Sequence, residues 1–211
     1  MRLQGREVSP TRASQLALRD EQKLIREGYE FLDEKRMLLA QELLRQLQAY
    51  SALNERRQEV HKSARDTLVA ALMRHGLEEL SVYPPPFGEQ LSADIASRNF
   101  IGFALVEAHL TPDTPVIDER APEAAFPSFE AVACAEAFHE LMSIDVERAA
   151  ISANLHRLAQ EYVATERRAR ALENVLLPEI AVAVKQIGEN LEASEQEEAL
   201  QVRHAKFTHP D

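Results

Sequence analysis

The sequence predicts a mainly α-helical protein: a long antiparallel two-helix coiled coil, formed by the N- and C-terminal helices, with a small β-hairpin or loop insert in the middle. Heptad-spaced apolar residues run through both ends of the chain, and seven of the ten prolines lie between 84 and 127. The 211 residues are rich in Ala, Leu, Glu, Arg and Gln, with only 6 Gly and no Trp. Such side chains lose little rotamer freedom in a helix.

The first segment, residues 1–76, opens its helix at "SPTR", where Ser9 is placed to cap and Pro10 to occupy the first helical position, at which a missing N–H does no harm. A seam in steps of four and three then passes through Leu18, Gln22, Ile25, Tyr29, Leu32, Arg36, Leu39, Leu43, Gln46, Tyr50, Leu53, Arg57, Val60 and Ala64. That period is the narrow apolar stripe of a coiled coil, and Gly76 suits the C-cap. A helix of about 65 residues would span on the order of 100 Å at ~1.5 Å per residue.

The middle segment, residues 77–130, is acidic and proline-rich. "NFIGFALVEAHL" (Asn99 to Leu110) has strand composition, and "TPDTPVIDE" is expected to form a turn and a second short strand.

The third segment, 131–211, holds the second coiled-coil helix and a tail, with helical spacing setting in near Phe129 and running to about Leu200. Its seam is Ile151, Leu155, Leu158, Tyr162, Thr165, Ala169, Leu172 and Leu176, resuming one residue late at Ile180, Ala183 and Ile187. The slip coincides with Pro178. An interior proline loses one helical bond and crowds the carbonyl four residues back. The apolar series continues beyond it, so a continuous bent helix is expected, with the Asn174 carbonyl deprived of its helical donor. A single-stripe helix in water must bury that stripe, and folding the chain back on itself places Tyr29 near Leu176, and Lys35 and Arg36 near Glu173 and Arg170.

The formal charge of -11 is uneven: residues 1–76 carry 14 basic and 11 acidic side chains, 77–130 carry 2 and 10, and 131–211 carry 8 and 14. A basic first segment facing two acidic ones favours intrachain pairing and argues against nucleic-acid binding. The single cysteine, Cys134, sits among Ala and Val and is read as a packing residue in a reducing, cytoplasmic setting. No leader-like segment opens the chain and no apolar run reaches the ~18 residues of a membrane span, so membrane association is expected through partners, without direct insertion.

Candidate chemistry is sparse. The Glu136-x-x-His139 spacing on a helix resembles one half of a di-metal bundle motif, but no other histidine repeats it, and His139 is assigned to a solvated face. There is no glycine-rich phosphate loop, no His-Glu-x-x-His and no second thiol. No catalytic residue, cofactor or metal site is expected. Arg167, Arg168 and Arg170 cluster on one helical turn, placed either to meet a partner's carboxylates or to pair with Glu166 and Glu173.

Two stretches resemble one family. "PTRASQLALRDEQKLIREGYEFLDEKRMLL" is similar to the N-terminal helix of the D subunit of the V/A-type rotary ATPases, through Pro10, Thr11, Arg12, Leu16, Leu18, Arg19, Lys23, Leu24, Gly28, Leu32, Lys35, Arg36 and Leu39. "EYVATERRARALENVLLPEI" resembles that family's C-terminal signature, through Glu161, Tyr162, Thr165, Arg167, Arg168, Ala171, Leu172, Glu173, Val175 and Pro178. The sequence departs from the family at Gln22, Glu27, Asp33, Glu34, Arg170 and Asn174.

The resemblance implies a non-catalytic central-stalk rotor shaft, which transmits torque between a hexamer of catalytic and regulatory subunits and the membrane ion-translocating ring. It implies as partners those hexamer subunits, the small F subunit of the stalk and a funnel-shaped protein linking to the ring. Pro10, Thr11, Arg12, Lys35, Arg36, Arg167, Arg168 and Arg170 are the candidate partner contacts. The alternative is a generic coiled-coil adaptor or chaperone-like scaffold, which explains the heptads but not the joint occurrence of both motifs.

Overall fold

A computed structural model describes residues 2–3, 6–7, 9–82, 92–111 and 128–208. The elements in order are β1 (Arg2–Leu3), β2 (Arg6–Glu7), α1 (Arg12–Val82), β3 (Ala93–Phe100), β4 (Phe103–Leu110), α2 (Phe129–Ala171), a π-helical turn (Leu172–Leu176) and α3 (Leu177–Thr208). The expected second strand within "TPDTPVIDE" lies outside the described residues, as does "PPPFGE".

The helix ends follow local chemistry. Thr11, not Ser9, caps α1: its hydroxyl accepts the Ser14 N–H at 3.2 Å, while its own N–H donates to the Ser9 carbonyl at 2.9 Å, so Pro10 lies just before the helix. Gly76, with φ 75 and ψ 169, breaks the regular helix as expected, in a backbone region open almost only to glycine, yet the chain turns helical again up to Val82. Ser128 caps α2 through the Ala131 N–H at 3.3 Å. The last helix runs on to Thr208, past the expected end near Leu200.

Two compact units result. The first combines Met1–Leu39 with Glu161–Asp211. Its helical segments run antiparallel, since Arg12 pairs with Glu195 and Lys35 with Glu161. Leu18, Ala183 and Ile187 form its core cluster, with Val184 and Leu191 packed against it, and β1 lies against α3.

The second unit spans Ala40–Gln160 and is also antiparallel, with Arg57 bound to Asp145 at 2.6 Å while Tyr50, earlier in α1, accepts Arg148, later in α2, at 3.3 Å. Ala64, Ala71, Ala131, Leu141, Ile144 and Leu158 are buried there. Cys134 is buried too, and burial pushes its thiol pKa up, as suits a packing residue.

All fourteen seam positions of α1 and all eleven of the second helical arm are buried or half-buried. The lateral register differs from the expected one by about a helical turn. Tyr29 faces Glu173 rather than Leu176, while Lys35 and Arg36 reach Glu161 and Glu166. Apolar seams alone fit several registers, and the flanking charges select among them.

The one-residue slip in the second seam has a structural counterpart. Leu172–Leu176 form a π-turn in which the Leu177 N–H bonds to the Leu172 carbonyl, five residues back. The extra residue is looped into the helix, so Ala169 before it and Ile180, Ala183 and Ile187 after it are all buried. The helix therefore continues through Pro178, as expected. Two carbonyls are relieved rather than one: Pro178 has no N–H for Asn174 at α spacing, nor for Glu173 at the π spacing that precedes it.

The hairpin forms with its turn inside the stretch expected to be one strand. β3 and β4 pair antiparallel from Ala93↔Leu110 to Phe100↔Phe103, around Ile101 (φ 49) and Gly102 (φ 88). Positive φ at both central residues is the turn whose twist matches the strands; Ile101 is an unfavourable residue for it, which hid the turn in the sequence. Within the second unit Leu105 and Ala108 are buried. Asn154 on α2 acts as a surrogate strand, accepting the Val106 N–H at 2.8 Å and donating to the Val106 carbonyl at 2.7 Å. Asn154→Ala should cost about 1–3 kcal/mol by orphaning both groups, and should speed Val106 amide exchange ahead of global unfolding. Unchanged exchange at Val106 would show that apolar packing alone seats the hairpin.

Candidate partner-binding surface

The eight candidate contacts all lie in the first unit, and the structure divides them. Thr11 is occupied in capping α1, and Pro10 precedes it as an exposed residue. Arg12 pairs with Glu195 across the two arms, and that carboxylate raises the guanidinium pKa further. Both side chains are largely exposed, so the pair adds little stability.

Lys35 and Arg36 are drawn inward. Lys35, its side chain 16% exposed, donates from Nζ to Glu161 at 2.6 Å. Arg36 bridges Glu166 at 2.7 Å and Asp33 at 2.5 Å, and Glu166 also accepts Arg170 at 2.7 Å. Hydrogen bonding to Arg36 holds the Glu166 carboxyl below the usual range. These cations tie the arms together, and Arg170 chooses its own helix one turn back.

Arg167 and Arg168 differ from the rest. Both are exposed, on the turn whose inward face is Thr165 and Ala169, and neither has an ion-pair partner among the described residues. The local carboxylate, Glu166, is already shared by Arg36 and Arg170. Among the described residues, Arg167 and Arg168 thus form an exposed dicationic turn without an intrachain ion pair on an acidic chain.

The π-turn lies in the same unit, against α1. A Cβ placed on Gly28 would lie 3.8 Å from Leu172 Cδ1. The next residue, Tyr29, has its hydroxyl pKa raised, chiefly by the charge of Glu173.

Among the described residues, no three His, Cys, Asp or Glu side chains converge as a metal site, and no helix is long and apolar enough to cross a membrane. His139 is half-buried with its Nδ1 shielded, which corrects its assignment to a solvated face: α2 turns it toward the packed side of the unit.

The family model for the D subunit of ATP synthase matches residues 14–206, a span that takes in all but the outermost two residues of each helical arm, the hairpin and the π-turn. The chain belongs to the ATP synthase D-subunit family. It is similar to the D subunit of the V-type ATP synthase of Thermotoga neapolitana, with 26% identity covering 94% of this chain and 97% of the relative. It also resembles the D subunit of the A-type ATP synthase of Thermococcus sibiricus, 29% identical over 94% of this chain and 93% of the relative. The A-type counterpart from Methanobrevibacter smithii is 26% identical over 95% and 87%.

Within this family framework, the polar groups that sequence reasoning missed belong to the second unit. Glu42, its side chain 8% exposed, accepts Arg45 through two bonds (2.8 and 2.6 Å), Gln46 at 2.9 Å and Arg98 of β3 at 2.8 Å. The spacing of Glu42 to Arg45 and Gln46 was visible in the sequence, but nothing there announced that Arg98 would return to it. Asn154 gave no local signal, because its partner is a backbone edge.

Proposed function

We propose that this chain is the central-stalk rotor shaft of a V/A-type rotary ATPase or ATP synthase. It transmits torque between a hexamer of catalytic and regulatory subunits and the membrane ion-translocating ring, and itself catalyses nothing. The observation that carries this reading is the family match across residues 14–206, which takes in both arms of the helix pair rather than one motif. Its partners on this reading are the hexamer subunits, the F subunit of the stalk and the funnel-shaped protein below. Its place is peripheral, on the cytoplasmic side of the membrane. Residues 1–76 and 131–211 are the coiled-coil arms and 77–130 the insert.

The physical demands of such a part support the reading. A shaft loaded in torsion must keep its two helices from slipping past one another. Here Lys35–Glu161, Arg36–Glu166 and, in the second unit, Arg57–Asp145 tie neighbouring helices laterally. A lone hairpin of helices also has no threefold symmetry, so it can present different faces to equivalent catalytic interfaces.

The test is reconstitution. The purified chain should enter a complex with the hexamer and the F subunit; stable homodimers that ignore the hexamer would sink the proposal. In the assembled enzyme, Arg167→Glu with Arg168→Glu should reduce ATP-driven pumping several-fold while leaving the melting of the isolated chain unchanged within about 0.5 kcal/mol, because neither arginine has an ion-pair partner among the described residues. Pumping at the normal rate would show that these two cations meet only water.

A further inference from the structure

The two edges of the hairpin are treated differently. Val106 sends both backbone groups to Asn154, so Ser97↔Val106 is a pair whose N–H and C=O groups point away from each other. The Ala104 carbonyl accepts Arg157 at 3.5 Å, in keeping with the same alternation. At Val106 and Ala104 the outer edge of β4 is thus covered by side chains from α2. By the same register, Ala93, Ile95, Ser97 and Asn99 turn their N–H and C=O groups to the outside of β3. Those four residues are exposed, and their outward backbone groups have no partner among the described residues.

A bare edge is normally blunted by proline, a bulge or charge. β3 contains no proline and its pairing is unbroken over eight residues. The charge of Arg98 is already engaged by Glu42 and Glu107, which leaves Asp94 as the edge's free carboxylate among the described residues. Ile95, a large β-branched side chain, is 67% exposed on the opposite face.

We propose that the outer edge of β3 is a strand-addition site, taken up by an extended segment of another protein of the rotary ATPase. The backbone groups of Ala93 to Asn99 require an extended chain as occupant. The side chains further require an apolar residue beside Ile95 and a basic one beside Asp94. This inference rests on the rotor reading, since it draws its partner from the ATPase.

Amide hydrogen exchange of the free chain and of the purified complex tests it. The Ile95, Ser97 and Asn99 amides should exchange fast in the free chain and roughly a hundredfold more slowly in the complex, as amides do on joining a stable ladder. Ser97→Pro removes only an outward N–H and leaves the hairpin's own ladder intact. In that variant the complex should still form, with Ile95 and Asn99 left unprotected. Fast exchange in a fully assembled wild-type complex would overturn the strand-addition site and leave the rotor reading standing. Slow exchange already in the free chain would overturn it as well, because the edge would then be covered from within. Failure of the chain to join the ATPase would instead defeat the rotor reading itself.

Discussion

Deleting Asn174 should destabilise the first unit by about 3 kcal/mol, and the same deletion in a Pro178→Ala background should be close to neutral. Asn174 is exposed and lies inside the π-turn, where one extra residue is looped into the helix. Removing it converts the turn to α geometry without moving Ile180, Ala183 or Ile187 off the seam, because a π-bulge is a local insertion rather than a shift of everything downstream. Pro178 would then sit in an ordinary α-helix, with its ring against the carbonyl four residues back. On this account the wide turn is what makes the proline tolerable, and Pro178→Ala removes the need for it. Thermal melts followed by circular dichroism on the four proteins of this cycle decide the matter. A deletion that is equally harmful with and without Pro178 would mean that the inserted residue serves the seam rather than the proline.

Glu42→Gln should cost about 2–3 kcal/mol at neutral pH, and the loss should vanish in acid. The Arg45 hydrogen bonds, aided by those of Gln46 and the charge of Arg98, hold the Glu42 carboxyl at about 2 against a usual value of 4.5. A carboxyl whose folded pKa is depressed stabilises the protein above its unfolded pKa, and that contribution fades as pH falls toward the folded value. The gap between wild type and Glu42→Gln should therefore be full above pH ~4.5 and close progressively toward pH ~2. Denaturant titrations across this range measure it directly. A gap that stays constant down to the lowest pH would assign the loss to packing instead of charge. Because Arg98 belongs to β3, exchange at the hairpin should rise in the same variant.

The helices, their seams and the slip at Pro178 were legible in the sequence because they are local and periodic: residue types repeating every three or four positions state which face must leave water. The cap falls on Thr11 rather than on the expected Ser9: both residues suit capping by composition, and only the Thr11 hydroxyl reaches the Ser14 N–H. The hairpin was expected in kind but misplaced, since Ile101 holds a positive φ that propensity denies to a β-branched residue. Of the candidate contacts, Lys35, Arg36 and Arg170 looked alike on paper to Arg167 and Arg168. Partial burial sets Lys35 and Arg36 apart, and the bond to Glu166 sets Arg170 apart, and neither can be read from spacing.

The sequence by itself determined that two amphipathic arms must pair and that one of them carries an extra residue near Pro178, because burying an apolar stripe depends only on its period. It also carried the resemblance to the D-subunit family, which the family match bears out. Only the tertiary structure decided the register of the arms, the π form of the extra residue, the clasp of Glu42 on Arg98 and the choice of Asn154 as the cover for β4. Each of these joins groups far apart in the chain, and their energies rest on geometry and desolvation that exist only once the chain has folded.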